Sequence, residues 1–203
     1  MSKTTRERLK TKRRRERTRS IVIGGVITVA VVAGIAWLAT QSRARESGEA
    51  VPIPQVQAVE EMAEVSHVAE GSDPGPHNSD PPTSGKHYAT QAFAGFNEEA
   101  DLESFGEYPE GYLIHSLEHG YVIFWYNCEV LTDSECEDLK DEIQRVMSRV
   151  GDFKVIGFPW TSIDEPVVMT SWGRMLRFDE FDADVAEQYV RNFRNQAPEP
   201  NAP

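Results

Sequence analysis

Residues 121–126 read YVIFWY. Six consecutive apolar residues, β-branched and aromatic, mark a strand covered on both faces. What flanks the run sets the topology. Upstream, Pro109 to His119 suits a short helix, with Pro109 near its first turn and Gly120 as a left-handed cap. Downstream, Thr132 with Glu135 three positions later forms a capping-box signature. The helix it opens has Leu139, Ile143, Val146 and Val150 at core-facing spacing. Residues 153–158 (FKVIGF) then read as a second strand, and strand–helix–strand at this length implies a right-handed parallel crossover. Residues 167–171 and 175–178 flank Trp172-Gly173-Arg174 as a hairpin. Asp182 caps a last helix whose inner face is Val185, Ala186, Tyr189, Val190 and Phe193. The expected fold is α+β: a single domain with a small four-stranded mixed sheet, a strand–helix–strand crossover and a C-terminal helix, preceded by a long His/Pro/Gly loop region.

The charge is split along the chain. Over all 203 residues, 21 Lys+Arg face 33 Asp+Glu, a net charge of −12. Residues 1–20 hold ten basic side chains and two acidic ones, a balance of +8. Residues 21–40 (IVIGGVITVAVVAGIAWLAT) carry no charge, and the remaining 163 residues have a balance of −20. An acidic domain repels phosphate backbones, which argues against nucleic acid as a partner. Twenty uncharged residues in a helix span roughly 30 Å, the thickness of a bilayer's hydrocarbon core, and Trp37 lies near one end, as interfacial aromatics do. The basic flank places the N-terminus in the cytoplasm and the rest of the chain outside, with the lipid bilayer as a direct partner. A cleaved signal peptide has a shorter apolar region, and residues 40–45 (TQSRAR) are a poor cleavage context. Gly24, Gly25 and Gly34 form no G-x-x-x-G helix-pairing motif.

The expected organisation is therefore a basic cytoplasmic arm (1–20), a transmembrane helix (21–40), an acidic linker (41–63) with Pro52 and Pro54, a globular domain (64–196) and a disordered tail (197–203, APEPNAP). Residues 64–95 are rich in Gly, Pro, Ser, Asp and His and show neither a strand nor a helix period. So long an irregular stretch inside a domain is functional or disordered.

All five histidines, His67, His77, His87, His115 and His119, precede the regular α/β half. His115-Ser116-Leu117-Glu118-His119 matches H-x-x-E-H. Residues four apart on a helix share a face, so both imidazoles can reach one ion. In inverted zinc peptidases the glutamate of this motif is the general base. The competing reading is a histidine pair at the negative end of a short helix. In residues 80–88 (DPPTSGKHY) two prolines and Gly85 stiffen the backbone leading to His87, as a preorganised site requires. Cys128 and Cys136 stand either as a disulfide closing a nine-residue loop or as two buried thiols. Met169 and Met175 offer thioethers to copper(I), but their strand positions make them core residues. The aromatic residues of the strands read as core as well, and Ser84 and Ser116 fit no nucleophile triad.

PPTSGKHY at 81–88 followed by HSLEHGYVIFWY at 115–126 resembles a bacterial, membrane-anchored extracytoplasmic family, domain of unknown function 3105, whose members share PPTSG-x-HY and H-x-LEHG-x-V patterns. The resemblance runs from about His67 to the last helix. His67, His87, His115, Glu118 and His119 fall on its motif positions, and His77 does not. It implies a tethered domain but no activity. Three or four imidazoles suit a transition metal, copper or zinc, and suit calcium or magnesium poorly. The expected ligands are His67, His87, His115 and His119, with Glu118 as a general base or a residue that orients an imidazole. Four histidines would close the coordination sphere, which favours binding over turnover. The alternatives are a metal-dependent hydrolase and a metal-free domain that binds other envelope proteins; a metal donor is a further possible partner.

Overall fold

A computed structural model describes residue 53 and residues 55–202. The expected basic arm, membrane span and first part of the linker lie outside the described residues. Among the described residues, no helix is long and apolar enough to cross a membrane.

The core of the fold is a mixed sheet. Strand β5 (Val122–Tyr126) pairs in parallel with β6 (Val155–Pro159) and antiparallel with β7 (Val167–Ser171), which pairs antiparallel with β8 (Arg174–Phe178). These are the four strands expected. Helix α2 (Asp133–Val150) connects β5 to β6 and starts with the Thr132–Glu135 capping box. Helix α3 (Ala183–Phe193) starts at Asp182, whose carboxylate accepts from the amides of Asp184 and Val185.

Among the described residues the sheet has six strands, not four. Strand β1 (Gln57–Ala58) pairs with β8, and β4 (Gly95–Phe96) pairs with β6. Two residues are too few to show a period, so no pattern announces either strand. Both cover edges whose backbone groups would otherwise stay open. The β1 pairing also shows that the fold begins inside the expected linker, since Ile53 and Val56 pack on the core.

Alternation along β5 divides the molecule. Val122, Phe124 and Tyr126 face α2 and α3 together with Ile143, Val146, Tyr189 and Val190. Ile123 and Trp125 face the other way, against Leu113, Ile114 and Leu117 of helix α1 (Glu110–Glu118). Met169 lies in the first of these cores and Met175 in the second. Both methionines are therefore packing residues, on opposite faces of the sheet.

Cys128 and Cys136 form a disulfide. Closing a nine-residue loop removes denatured-state freedom worth about 2.5 kcal/mol. Replacing both cysteines by serine is expected to lower the free energy of unfolding by about that amount, read from urea denaturation. Dithiothreitol should then leave the double variant unchanged.

The chain after α3 returns to the end of α1. The amide of Asn195 donates to the Gly120 carbonyl (2.9 Å) and that of Glu199 to the Glu118 carbonyl (3.0 Å). The buried Lys154 ammonium donates to the carbonyls of His119, Pro200 and Ala202. The segment is thereby strapped to the end of α1.

Candidate metal centre

Three separate pieces of backbone bring the histidines together. Strands β2 (His67–Val68) and β3 (His87–Tyr88) form a two-stranded parallel ladder in which His67 and His87 are register partners. Helix α1 brings His115 against both. Ring centroids are 5.0 Å apart for His67–His87, 5.2 Å for His67–His115 and 5.0 Å for His87–His115. One ligand atom from each of His67, His87, His115 and Glu118 lies within 4.8 Å of the others.

The turn before β3 is built around a side chain that sequence patterns did not single out. Asn78 accepts from the amides of Thr83 (3.1 Å) and Ser84 (3.3 Å). Its amide group donates to the Glu60 carbonyl and to the hydroxyls of Thr83 and Ser84. Held this way, Gly85 at φ 139° directs its carbonyl to Nδ1 of His87 at 2.8 Å. The β2 side is tied down by Glu70, which accepts from Tyr112 (2.6 Å) and Thr90 (3.1 Å).

The hydrogen bonds fix the tautomers. A carbonyl can only accept, so His87 Nδ1 is the protonated nitrogen facing Gly85. His115 Nδ1 likewise donates to the Tyr88 carbonyl at 2.6 Å. In the neutral rings the lone pairs therefore sit on Nε2, turned into the cluster. Burial holds His115 below the usual histidine range, opposed by the Tyr88 bond and aided by the neighbouring imidazoles, so its neutral form is favoured at pH 7. Glu118 Oε2 comes within 3.0 Å of His87 Nε2. It does not lie in hydrogen-bonding line with that atom, and Nε2 is buried without a hydrogen-bond partner. An orphaned ring nitrogen in a cluster of donors is the arrangement that a metal ion satisfies.

Helix α1 ends in a Schellman motif. The amide of Gly120, at φ 87°, bonds the Leu117 carbonyl, and that of Tyr121 bonds the Ser116 carbonyl. The helix thus stops at Glu118, leaving His119 as the cap residue with φ −84° and ψ 6°. The spacing pointed to His119, four residues after His115, as its co-ligand, with Glu118 as a base or a residue that orients an imidazole. The structure brings Glu118 into the cluster and leaves His119 beside it. His119 Nδ1 meets Gln91 Oε1 at 2.8 Å, and its Nε2 stands 3.6 Å from Glu199 Oε2. His77 lies apart, 3.7 Å from Glu110. Gln91 and Glu199 had no sequence signal, since each reaches the site from an irregular segment.

Gly111 is the close-approach point of α1. A Cβ built there would stand 2.4 Å from the ring of Tyr88, a fully buried residue whose carbonyl holds His115. Alanine gains about 1 kcal/mol of helix propensity but must displace that ring. Gly111→Ala is expected to lower stability by about 1–3 kcal/mol overall, measured by urea denaturation.

A family model described as "Protein of unknown function (DUF3105)" matches residues 73–203. No curated protein and no solved structure matches the chain.

Proposed function

The chain belongs to the DUF3105 family, and we propose that it is a membrane-tethered extracytoplasmic domain that binds a divalent transition-metal ion through His67, His87, His115 and Glu118. The observation that carries this reading is the buried Nε2 of His87, without a hydrogen-bond partner, inside a group of four donors in which backbone carbonyls set the tautomers of His87 and His115. Two ligands of one tetrahedral ion held at about 2.0–2.1 Å sit about 3.3 Å apart, and the 3.0 Å approach of Glu118 to His87 is close to that. Three imidazoles and a carboxylate favour zinc over copper(I), which prefers thioether and thiolate donors. The two methionines considered for copper are engaged in the core.

With Glu118 as a ligand the coordination sphere is closed, which suits holding or handing over an ion, to or from another envelope protein, better than turnover. Hydrolysis with Glu118 as general base would need that carboxylate to leave the donor group. The positive-inside arm and the uncharged segment support the tether, and a disulfide suits an oxidising compartment. Elemental analysis of the untagged full-length chain tests the reading. At least about one zinc ion per chain is expected, with one ion fewer in the His87→Asn/His115→Asn double variant. Substoichiometric metal in both preparations would end it.

A further inference from the structure

Glu118 belongs to two donor groups. With His119 and Glu199 it forms a second set, in which one ligand atom of each residue lies within 4.8 Å of the others. We propose that this set is a second metal position adjoining the first, with Glu118 shared between them, so that the domain holds a two-ion centre completed by its C-terminal segment. The inference rests on the metal reading of the first position and extends it.

Three features of the structure support this position. The first is tautomeric: His119 Nδ1 faces Gln91 Oε1 at 2.8 Å, an acceptor, so its lone pair sits on Nε2, as in His87 and His115. That nitrogen is 3.6 Å from Glu199 Oε2, near the about 3.3 Å that separates two ligands of one zinc-sized ion. The second is mechanical. Glu199 is not carried on a loose end, because its amide bonds the carbonyl of Glu118 itself. Lys154 bonds the carbonyl of His119 on one side and those of Pro200 and Ala202 on the other, clamping both ends of the set to one buried ammonium. The third is adjacency: the rings of His115 and His119 have centroids 4.4 Å apart, so the two groups are neighbours.

A His119–Glu199 ion pair by itself would account for one distance. It gives no reason to bury a lysine whose hydrogen bonds go to the two chain segments that carry the pair. The donor chemistry of the two positions also differs. The first offers three nitrogens and a carboxylate, the second one nitrogen and two carboxylates. The second is therefore the harder and more weakly binding position, suited to zinc, manganese or iron(II). Its three protein ligands leave coordination places open to water or an oxygen anion.

Zinc stoichiometry and affinity decide the matter. The untagged full-length chain, stripped with chelator, is titrated with zinc and analysed by mass spectrometry after gel filtration. Two ions per chain are expected in the wild type. Glu199→Gln, a change at an exposed side chain, is expected to retain one ion, with the second weakened by at least about tenfold. His119→Gln should behave the same way, and circular dichroism reports whether each variant is folded. One ion in the wild type, or two undiminished ions in both variants, would overturn the second position while leaving the first intact. Less than one ion in the wild type would sink both positions together.

Discussion

Stripping metal from the full-length chain is expected to lower its melting temperature by roughly 8–16 °C. The figure follows from linkage. An ion present at a thousand times its dissociation constant, and binding only the folded state, stabilises by about 4 kcal/mol. For a domain of this size each kcal/mol moves the midpoint by roughly 2–4 °C. The effect has a local origin. Without an ion, His87 Nε2 is buried with no hydrogen-bond partner, and the Glu118 carboxylate is drawn close to a ring that it does not address in line. An unmet buried polar group costs about 1–3 kcal/mol, and coordination removes that cost. The His87→Asn/His115→Asn chain, lacking two ligands of the first position, should lose most of the shift that chelator produces in the wild type. A metal-free interaction domain makes the opposite statement, that chelator leaves the wild-type midpoint where it was. Differential scanning calorimetry separates the two.

Asn78→Ala is expected to cost about 3 kcal/mol or more, although Asn78 contributes no ligand. Its carbonyl oxygen satisfies the amides of Thr83 and Ser84, both fully buried. Removing that acceptor strands two buried N–H groups at about 1–3 kcal/mol each. Its amide nitrogen also holds the Glu60 carbonyl and the two neighbouring hydroxyls. The turn so held leads directly to Gly85, whose carbonyl fixes the tautomer of His87. Loosening it should weaken zinc binding by about 10–100-fold, the usual effect of removing support from behind a ligand. Asn78→Asp keeps the acceptor and loses the donors, so its stability should lie between that of alanine and wild type. Urea denaturation gives the first quantity and competition against a chelator the second. An alanine variant within about 1 kcal/mol of wild type would show that the turn holds itself.

The four principal strands, the capping box, the Asp182 cap and the disulfide pair were all legible because each is a local pattern. YVIFWY at 121–126 needs only its own composition to read as a buried strand, and Thr132 and Glu135 need only their spacing. Strands β1 and β4 were not legible, because two residues carry no period and their pairing is decided by the sheet edges they meet. The site divides in the same way. The pattern H-x-x-E-H placed His115, Glu118 and His119 on neighbouring positions of one helix and pointed to His119 as the ligand, whereas the structure brings Glu118 into the cluster. The helix end is set by Gly120 and by the close packing of Asn195 against it, where a Cβ would stand 2.7 Å from Asn195 Cα. The pairing of His67 with His87 is a register between segments twenty residues apart, supported by the Glu70 carboxylate, which accepts from Tyr112 of α1 and from Thr90 just after β3. Asn78 and Glu199 carry no local signal for a related reason. Each acts through partners remote in sequence, and Asn and Glu in irregular chain are ordinary residues until those partners are known.

Anomalous diffraction at the zinc edge, from crystals of the zinc-loaded chain, tests the central claim most directly. The expected result is a peak between His67, His87, His115 and Glu118, about 2.0–2.1 Å from the Nε2 atoms of His87 and His115. A map with zinc bound elsewhere, or with no peak among these rings at full loading, would contradict it.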